Sequence, residues 1–388
     1  MDWSRRKLLA ALGTAGVGGY WWVSDGRCPD RRAPDWTLDG RYWSPPTRDD
    51  GDTFVSEGYG ITGRDAPHRI ASLDARDGSP NWVFTVVGAG AGAPRVSDGA
   101  VYVGTGNDRV YAFDRRTGHV EWRYDAGGHE TYGGGAWGRP AAVAGVVVAG
   151  VSHSEIADPP PTDSGAYTHR VVALAAESGE EVWSERVDAM AKTGPVAVGE
   201  TVVAATKAGS VYGFGVADGT ERWRTVVPTT VRHSLFADRE RVHAASVDGQ
   251  VAALNPESGE KRWTASLAAS VRATERDSRS LLVGTESGAV VALARDSGRE
   301  RWRFSADAPI GDLSSDRAHA FVLDQRGLVH VLDAETGEAR DRFRVAENAG
   351  TDACGWVPRH HRGTGLDADE DSLAVTGPWV GHVRRYRE

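Results

Sequence analysis

Residues 112–122 read AFDRRTGHVEW, and close variants of this segment recur along most of the 388-residue chain. Residues 253–263 read ALNPESGEKRW, and residues 292–302 read ALARDSGRERW. The glycine of the segment occurs seven times, at intervals of 40, 61, 40, 40, 39 and 39 residues, as Gly78, Gly118, Gly179, Gly219, Gly259, Gly298 and Gly337. A period near 40 residues is typical of propellers and other stacked arrays.

Each repeat is predicted to consist of β-strands. Apolar and polar residues alternate with a period of two, and glycine or aspartate separates the runs. The Asp-x-x-Thr/Ser-Gly text suits a tight turn, because glycine accepts a positive φ. A tryptophan follows six of the glycines by four residues: Trp82, Trp122, Trp183, Trp223, Trp263 and Trp302. We expect these rings to be buried between adjacent blades, where each removes on the order of 200 Å² from water.

The repeat resembles the tryptophan-docking motif of pyrroloquinoline-quinone-like (PQQ-like) β-propellers, from Trp36 to the C-terminus. The resemblance implies blades of four antiparallel strands, in which the motif joins the third strand to the outermost fourth. We therefore expect an all-β, eight-bladed β-propeller. The paired middle strands of the blades are predicted at 53–74, 96–114, 143–175, 197–215, 237–254, 277–294, 316–333 and 371–386.

The ring is expected to be closed by the N-terminal strand. The last unit stops without a fourth strand, whereas the first is preceded by the strand-like segment 36–43. An unclosed ring would leave a long sheet edge exposed, so this segment is predicted to complete the eighth blade. The seventh motif is degenerate, since Asp341 takes the tryptophan position and Phe343 follows two residues later.

The N-terminal residues are predicted to form a separate segment. Ser4-Arg5-Arg6-Lys7 precedes an apolar stretch at 8–23, which resembles a twin-arginine export signal. A plain signal anchor is the alternative. We divide the chain into a signal or membrane tether with linker at 1–35 and the propeller at 36–388. Either reading places the propeller outside the cytoplasm, with membrane contact only through 1–35.

Composition bears on partners and on cysteine chemistry. The net charge is −9, and no basic stripe of the kind that binds phosphates is present, so nucleic acid is not expected as a partner. We expect a monomer. The two cysteines, Cys28 and Cys354, leave open whether Cys28 is lipidated or whether the two form a disulfide.

Long insertions are predicted to lie on one face of the ring. In a four-stranded blade, the loops between strands two and three and the connections between blades open on the same side, here called the loop-rich face. The insertions at 57–68, 126–139, 152–169 and 346–366 all belong to these two loop types. Binding residues concentrate on loops held by a rigid scaffold, so we predict that this face binds the partner.

Polar and aromatic residues of these loops are the candidate site residues. Eight histidines map there: His68, His129, His153, His169, His233, His360, His361 and His382. The metal-ligand candidates are His129, His153, His169, His360 and His361, although their spacing matches no metal template, and ordinary polar loop residues are the alternative. Trp137, Trp356 and Trp379 could line a binding patch or pack the loops. The carboxylates of 367–371 are predicted to form a solvated turn.

The resembled family has two functional branches. Quinone-dependent dehydrogenases bring an adjacent cysteine pair, calcium ligands and a catalytic aspartate, and none of these can be placed in this sequence. The other branch comprises exported or membrane-tethered propellers that bind proteins, such as assembly-factor lipoproteins. We expect a non-enzymatic binding or assembly scaffold without catalytic residues. The alternative is a small PQQ-dependent dehydrogenase, with PQQ and Ca²⁺, or a metal-binding redox accessory protein.

Overall fold

The computed structural model describes residues 30–31, 36, 38, 43–58, 67–87, 90–127, 135–154, 167–227, 231–238, 240–344, 365–368, 372–376 and 383–387. These residues form 32 β-strands and no helix, grouped into eight sheets. The fold is therefore all-β, as the alternating patterns predict. No helix in this part of the chain is long and apolar enough to cross a membrane.

Six blades have four antiparallel strands in chain order. Blade one contains β2 (Thr47–Asp49), β3 (Asp52–Ser56), β4 (Pro67–Asp74) and β5 (Pro80–Val87), and blade two contains β6 (Arg95–Ser97), β7 (Ala100–Gly104), β8 (Arg109–Asp114) and β9 (Val120–Asp125). Blade three contains β10 (Ala141–Val143), β11 (Val146–Ser154), β12 (Tyr167–Ala175) and β13 (Glu181–Arg186), and blade four contains β14 (Val196–Val198), β15 (Thr201–Ala205), β16 (Ser210–Gly215) and β17 (Glu221–Val226). Blade five contains β18 (Val231–Ala237), β19 (Val242–Ser246), β20 (Gln250–Leu254) and β21 (Lys261–Ser266), and blade six contains β22 (Val271–Arg276), β23 (Ser280–Thr285), β24 (Ala289–Ala294) and β25 (Glu300–Ser305).

The last two blades depart from this plan. Blade seven contains β26 (Ile310–Ser315), β27 (His319–Asp324), β28 (Leu328–Asp333) and β29 (Ala339–Arg344), and β1 (Asp30–Arg31) pairs with β29 in parallel as a fifth strand. Blade eight has three strands in the described part of the chain: β30 (Gly365–Ala368), β31 (Ser372–Thr376) and β32 (Val383–Arg387). The predicted middle strands are present in all eight blades.

The blades follow one another around a closed ring. The first strand of each blade contacts the first strand of the next, from β2 and β6 through to β26 and β30. Between blades eight and one, the Arg48 amide donates a hydrogen bond to Asp367 Oδ2 at 3.0 Å. The core lies mostly between neighbouring sheets, where separate clusters of buried side chains join consecutive blades. The predicted propeller architecture is confirmed.

One tryptophan contact repeats between the blades. The indole N–H of Trp82 donates to the Arg115 carbonyl in the next blade at 2.8 Å, and the ring lies 2.5 Å from where a Cβ on Gly118 would be. Gly118 has φ of +68°, so both its backbone and its surroundings disfavour a side chain. The same contact joins Trp122 to Gly179, Trp183 to Gly219, Trp223 to Gly259, Trp263 to Gly298, and Trp302 to Gly337.

The residue opposite each tryptophan is small. Ala112 pairs with Trp122 in the sheet, and Ala253 pairs with Trp263, which gives a reason for the alanine of the repeated segment. The strand register shifts directly after this small residue in both blades. The repeat therefore encodes the turn, the ring and the space beside the ring together.

Trp36 occupies the equivalent position in front of blade one. Its indole N–H donates to the Ala75 carbonyl at 3.1 Å, and its ring lies where a Cβ on Gly78 would be. Trp36 and Trp43 are both buried against blade one, in a cluster that includes Leu73. The strand predicted at 36–43 itself falls largely outside the described residues. The parallel pairing of β1 with blade seven was not predicted.

Blade seven lacks the tryptophan of the other motifs. Asp341 replaces the ring and pairs with Val331, which is larger than the alanine, serine or glycine found opposite the six tryptophans. Phe343 is fully buried and fills the contact with blade eight instead.

Candidate binding site on the loop-rich face

Elaboration of the loop-rich face is uneven around the ring. In blades four to seven, strands two and three are joined by short turns such as 206–209 and 286–288. The longer connections at 57–66, 126–140, 155–166 and 345–364 belong to blades one to three and to the step from blade seven to blade eight. On the opposite face, turns between the described strands contain at most six residues. The long connections thus share one face and one side of the ring.

Residues of four segments meet between blades two and three, at what we call the two–three seam: Asp108, Gly135, Trp137, Ser152 and His169. The Gly135 amide donates to the Ser152 carbonyl at 2.8 Å, and a backbone hydrogen bond from Gly135 also reaches the Asp108 carboxyl. Ser152 Oγ lies 2.8 Å from His169 Nδ1. The seam therefore joins the turn before β8, the connection before β10, and strands β11 and β12.

Asp108 is the most unusual group of the seam. Its side chain is 1% exposed, and its Oδ1 atom has no hydrogen-bond partner among the described residues. Burial raises the pKa of Asp108 to about 7, because the Gly135 amide offsets only part of the desolvation cost. Its neighbour Arg109 pairs with Asp125 at 3.0 Å. Burial therefore makes Asp108 a weaker acid than an exposed aspartate.

Replacing Asp108 with asparagine should stabilise the protein at alkaline pH. The pKa of Asp108 in the folded protein lies above the value of about 3.9 in an unfolded chain. The carboxyl's contribution to the free energy of unfolding is therefore complete below pH 4 and is lost as the pH rises through 7. The gain in unfolding free energy should grow from a small value near pH 4 to about 2 kcal/mol at pH 8. Thermal unfolding followed by circular dichroism across this range measures it.

Asp98→Asn is the matched control for this substitution. Asp98 also has a positive φ, of 50° against 62° for Asp108, but it is exposed. Asparagine tolerates this backbone region as well as aspartate does. A pH-independent effect of Asp108→Asn, or an equal effect of the two substitutions, would show that burial does not raise the pKa of Asp108.

The two described histidine candidates lie in neighbouring strands. His153 on β11 is buried, and His169 on β12 stacks on Tyr167 with ring centroids 6.3 Å apart. Burial lowers the pKa of His169, with smaller contributions from Lys207 and His153. Within the described residues, no group of three or more histidine, cysteine, aspartate or glutamate side chains is placed to hold a metal ion.

Several candidates lie outside the described residues: His129, His360, His361, His382, Trp356 and Trp379. The side chain of His233 is likewise not described. The metal site and the aromatic patch therefore stay predictions at these positions. Trp137 is described and is only 9% exposed, with its indole where a Cβ on Gly135 would be. Its ring packs the seam and leaves little surface for a ligand.

The residues at both ends of the blade-one connection, 57–66, are packed against neighbouring side chains. Glu57 pairs with Arg69 at 2.8 Å, and the Arg69 guanidinium lies 5.1 Å from the centre of the Trp43 ring. His68 is buried beside Gly58, whose φ is +83°. Together with the two–three seam, these contacts tie the ends of the connections in blades one to three to neighbouring strands. The loop-rich face therefore carries its long insertions on packed strands.

A second polar group lies on the innermost strands, and the sequence analysis missed it. Glu275, Asp312 and Asp367 lie on β22, β26 and β30, and we call them the inner carboxyl cluster. The prediction of a solvated turn is wrong for Asp367, which is part of a strand and accepts the Arg48 amide. Innermost strands carry no repeated motif, so nothing in the repeat pointed to these carboxyls.

The comparisons agree with this architecture. A family model described as outer membrane protein assembly factor BamB matches residues 22–163, 167–311, 267–350 and 286–375. The crystal structure of BamB from Moraxella catarrhalis superposes with a TM-score of 0.65 at 16% identity, covering 91% of this chain and 98% of that one. A comparison with curated protein sequences gives no match.

Two further solved structures share the fold alone. The computationally designed Ika8 protein has a TM-score of 0.70 at 15% identity, covering 92% of this chain and 99% of the design. Quinohemoprotein alcohol dehydrogenase from Comamonas testosteroni has a TM-score of 0.66 at 12% identity, covering 92% of this chain and 75% of the enzyme. The fold and the family model together define a PQQ-like repeat propeller. Because the family model spans most of the chain, the protein belongs to the BamB-like family of such propellers.

Proposed function

We propose that this protein is a non-enzymatic binding or assembly scaffold that works outside the cytoplasm and presents its loop-rich face to a protein partner. The observation that carries the proposal is the one-sided placement of the long connections on a rigid ring. Loops with fixed ends on a rigid scaffold suit recognition, because less conformational freedom is lost on binding. Family membership supports a protein-binding role, and the partner's identity is not part of the proposal.

The proposed location and assembly follow from the sequence. The twin-arginine pattern at 4–7 and the apolar stretch at 8–23 support export, with the segment 1–35 as the sole membrane contact. We propose that the propeller acts as a monomer, since the outer strands carry charged residues that discourage pairing with another sheet edge. Nucleic acid is not a proposed partner, given the net charge of −9.

Face-resolved photo-cross-linking in cells of the source organism tests this role. A benzophenone amino acid is placed at the exposed positions Lys192 and Ala208 on the loop-rich face, or at Arg116 and Glu177 on the opposite face as controls. We expect discrete cross-links to the same protein from the first pair and none from the second. Equal cross-linking from both faces, or none from either, would contradict a scaffold that binds through the loop-rich face.

The alternative is a quinone-dependent dehydrogenase. The likeness to a quinohemoprotein enzyme extends to the fold, at 12% identity. The dehydrogenase branch uses an adjacent cysteine pair, whereas Cys28 and Cys354 lie far apart in this sequence. Chemistry on PQQ would therefore require a different arrangement of residues from the one that the resemblance implies.

A further inference from the structure

The inner carboxyl cluster lies where blades six, seven and eight meet. Glu275, Asp312 and Asp367 lie on the first strands of three consecutive blades. The charges of Asp312 and Asp367 both raise the pKa of Glu275, and the charge of Asp367 also raises that of Asp312. Asp312 Oδ2 accepts the Leu366 amide of blade eight at 2.7 Å. On the other side of blade eight, Asp367 accepts the Arg48 amide of blade one. Two of the three carboxyls therefore hold the innermost strand of blade eight.

Hydroxyl groups connect the same strands. Ser315 Oγ of blade seven lies 3.3 Å from Glu275 Oε1 of blade six, within hydrogen-bond distance. Ser314 Oγ accepts the Ala368 amide of blade eight at 2.9 Å. Side-chain hydrogen bonds thus continue from blade six to blade eight. These bonds attach the innermost strand of blade eight to blade seven.

Charged residues lie on the strands around the cluster, among them Arg48 and Asp49 on β2. Arg139 is the cation that favours the charged form of Asp312, and its guanidinium also donates to Thr47 Oγ1 at 3.1 Å. The Arg276 guanidinium on β22 donates a hydrogen bond to the Ala237 carbonyl of blade five at 3.2 Å. On β27, His319 pairs with Asp316, and Asp324 accepts turn amides. Arg272 is the remaining charged residue of β22, and the side chains of Arg232 and His233 on β18 are not described.

We propose that the inner carboxyl cluster is a pH-sensitive latch, which holds blade eight in the ring while Glu275 and Asp312 are protonated and loosens it when they ionise. Ionisation would place up to three like charges on adjacent strands. Their mutual repulsion acts across the joints between blades six, seven and eight. The described first strands of blades two to five carry no carboxyl group, as blade four illustrates with a first strand that reads Val-Ala-Val.

The ionisation behaviour agrees with this geometry. Burial is the largest cause that raises the pKa of Glu275 to about 8, and the charge of Asp312 adds to it. Burial also raises the pKa of Asp312 to about 7, against its hydrogen bonds to backbone amides. Because these folded-state pKa values lie above the ordinary carboxyl pKa near 4, the two carboxyls contribute their full stability to the folded ring below pH 4. This contribution is lost as the pH rises through 7 and 8. The latch therefore opens toward alkaline pH.

Hydrogen exchange of the full chain from pH 6 to pH 9 tests the latch. After correction for intrinsic exchange rates, peptides from 365–376 should lose protection by about tenfold or more, whereas peptides from 201–215 in blade four should not. In the Glu275→Gln/Asp312→Asn double variant, protection of 365–376 should no longer depend on pH. Glu286→Gln, at an exposed position on the loop-rich face, is the matched control and should behave as the wild type does.

Two outcomes would overturn the proposal. One is equal loss of protection in blades four and eight of the wild type, which would indicate a general effect of pH. The other is an unchanged pH profile for 365–376 in the double variant. If the double variant does not fold, the single Asp312→Asn variant and the comparison of the two wild-type blades still decide the matter, since each measures the pH dependence of blade eight.

Discussion

Trp36→Ala is expected to lower the free energy of unfolding by about 3–5 kcal/mol, as much as removing a tryptophan from the middle of the ring. The ring of Trp36 is 8% exposed, covers Gly78 and donates its N–H to the Ala75 carbonyl. The substitution would remove a buried aromatic surface and leave a carbonyl without its partner. We propose that Trp36 is the docking ring of blade eight. Denaturant unfolding followed by circular dichroism measures the loss.

Two variants calibrate this result. Trp223→Ala removes an equivalent ring between blades four and five and should cost a similar amount. Val226→Ala removes a side chain that is 58% exposed on the outer strand of blade four, and should change stability by no more than about 0.5 kcal/mol. If Trp36→Ala resembled Val226→Ala, the N-terminal segment would be a dispensable tail, and the ring would close without it.

Gly118→Ala should cost about 2–4 kcal/mol, which is more than backbone strain alone explains. Alanine at this position must adopt a φ near +68° and also place its methyl group 2.5 Å from the Trp82 ring. The tryptophan is held by its own hydrogen bond and cannot retreat without losing it. Comparison of melting temperatures with the wild type gives the size of the effect.

Gly99 separates the two causes. It has φ of +80°, and an added Cβ would meet nothing within 4 Å. Gly99→Ala should therefore show the backbone cost alone, of about 1 kcal/mol. The difference between the two glycines measures the contact with tryptophan. An equal cost at both positions would mean that the glycine turn is required for its conformation and that the ring exerts no steric demand on it.

The features that the sequence predicts well are local and repeated. The strands and the turn glycine lie within one 40-residue unit, so the same pattern predicts them in each repeat. The degenerate seventh motif is visible because it departs from that pattern. The placement of the insertions on one face follows from strand order, which the repeat also supplies. The loss of tryptophan at Asp341 is accompanied by a second change in the sequence, because the residue paired with it is Val331 instead of the usual alanine.

The features that the sequence does not predict arise between distant segments. Asp108 is buried because residues 135–137 of the next connection close over its turn, which no spacing reveals. Glu275 and Asp312 meet because successive first strands converge around the ring, and those strands share no motif. Asp367 lies in an acidic run that is typical of solvated turns, yet it pairs with Ala374 in the β30–β31 ladder and its carboxyl accepts the Arg48 amide of blade one. The two-residue pairing of β1 is too short to carry any periodic pattern.

A titration of the full-length protein with PQQ and Ca²⁺ tests the central claim most directly. Tryptophan fluorescence reports cofactor binding, and dye-linked alcohol oxidation in the same sample reports turnover. The scaffold proposal predicts no saturable quenching at micromolar PQQ and no oxidation above the protein-free control. Saturable quenching accompanied by turnover would contradict it and would make this propeller an enzyme that works without the adjacent cysteine pair.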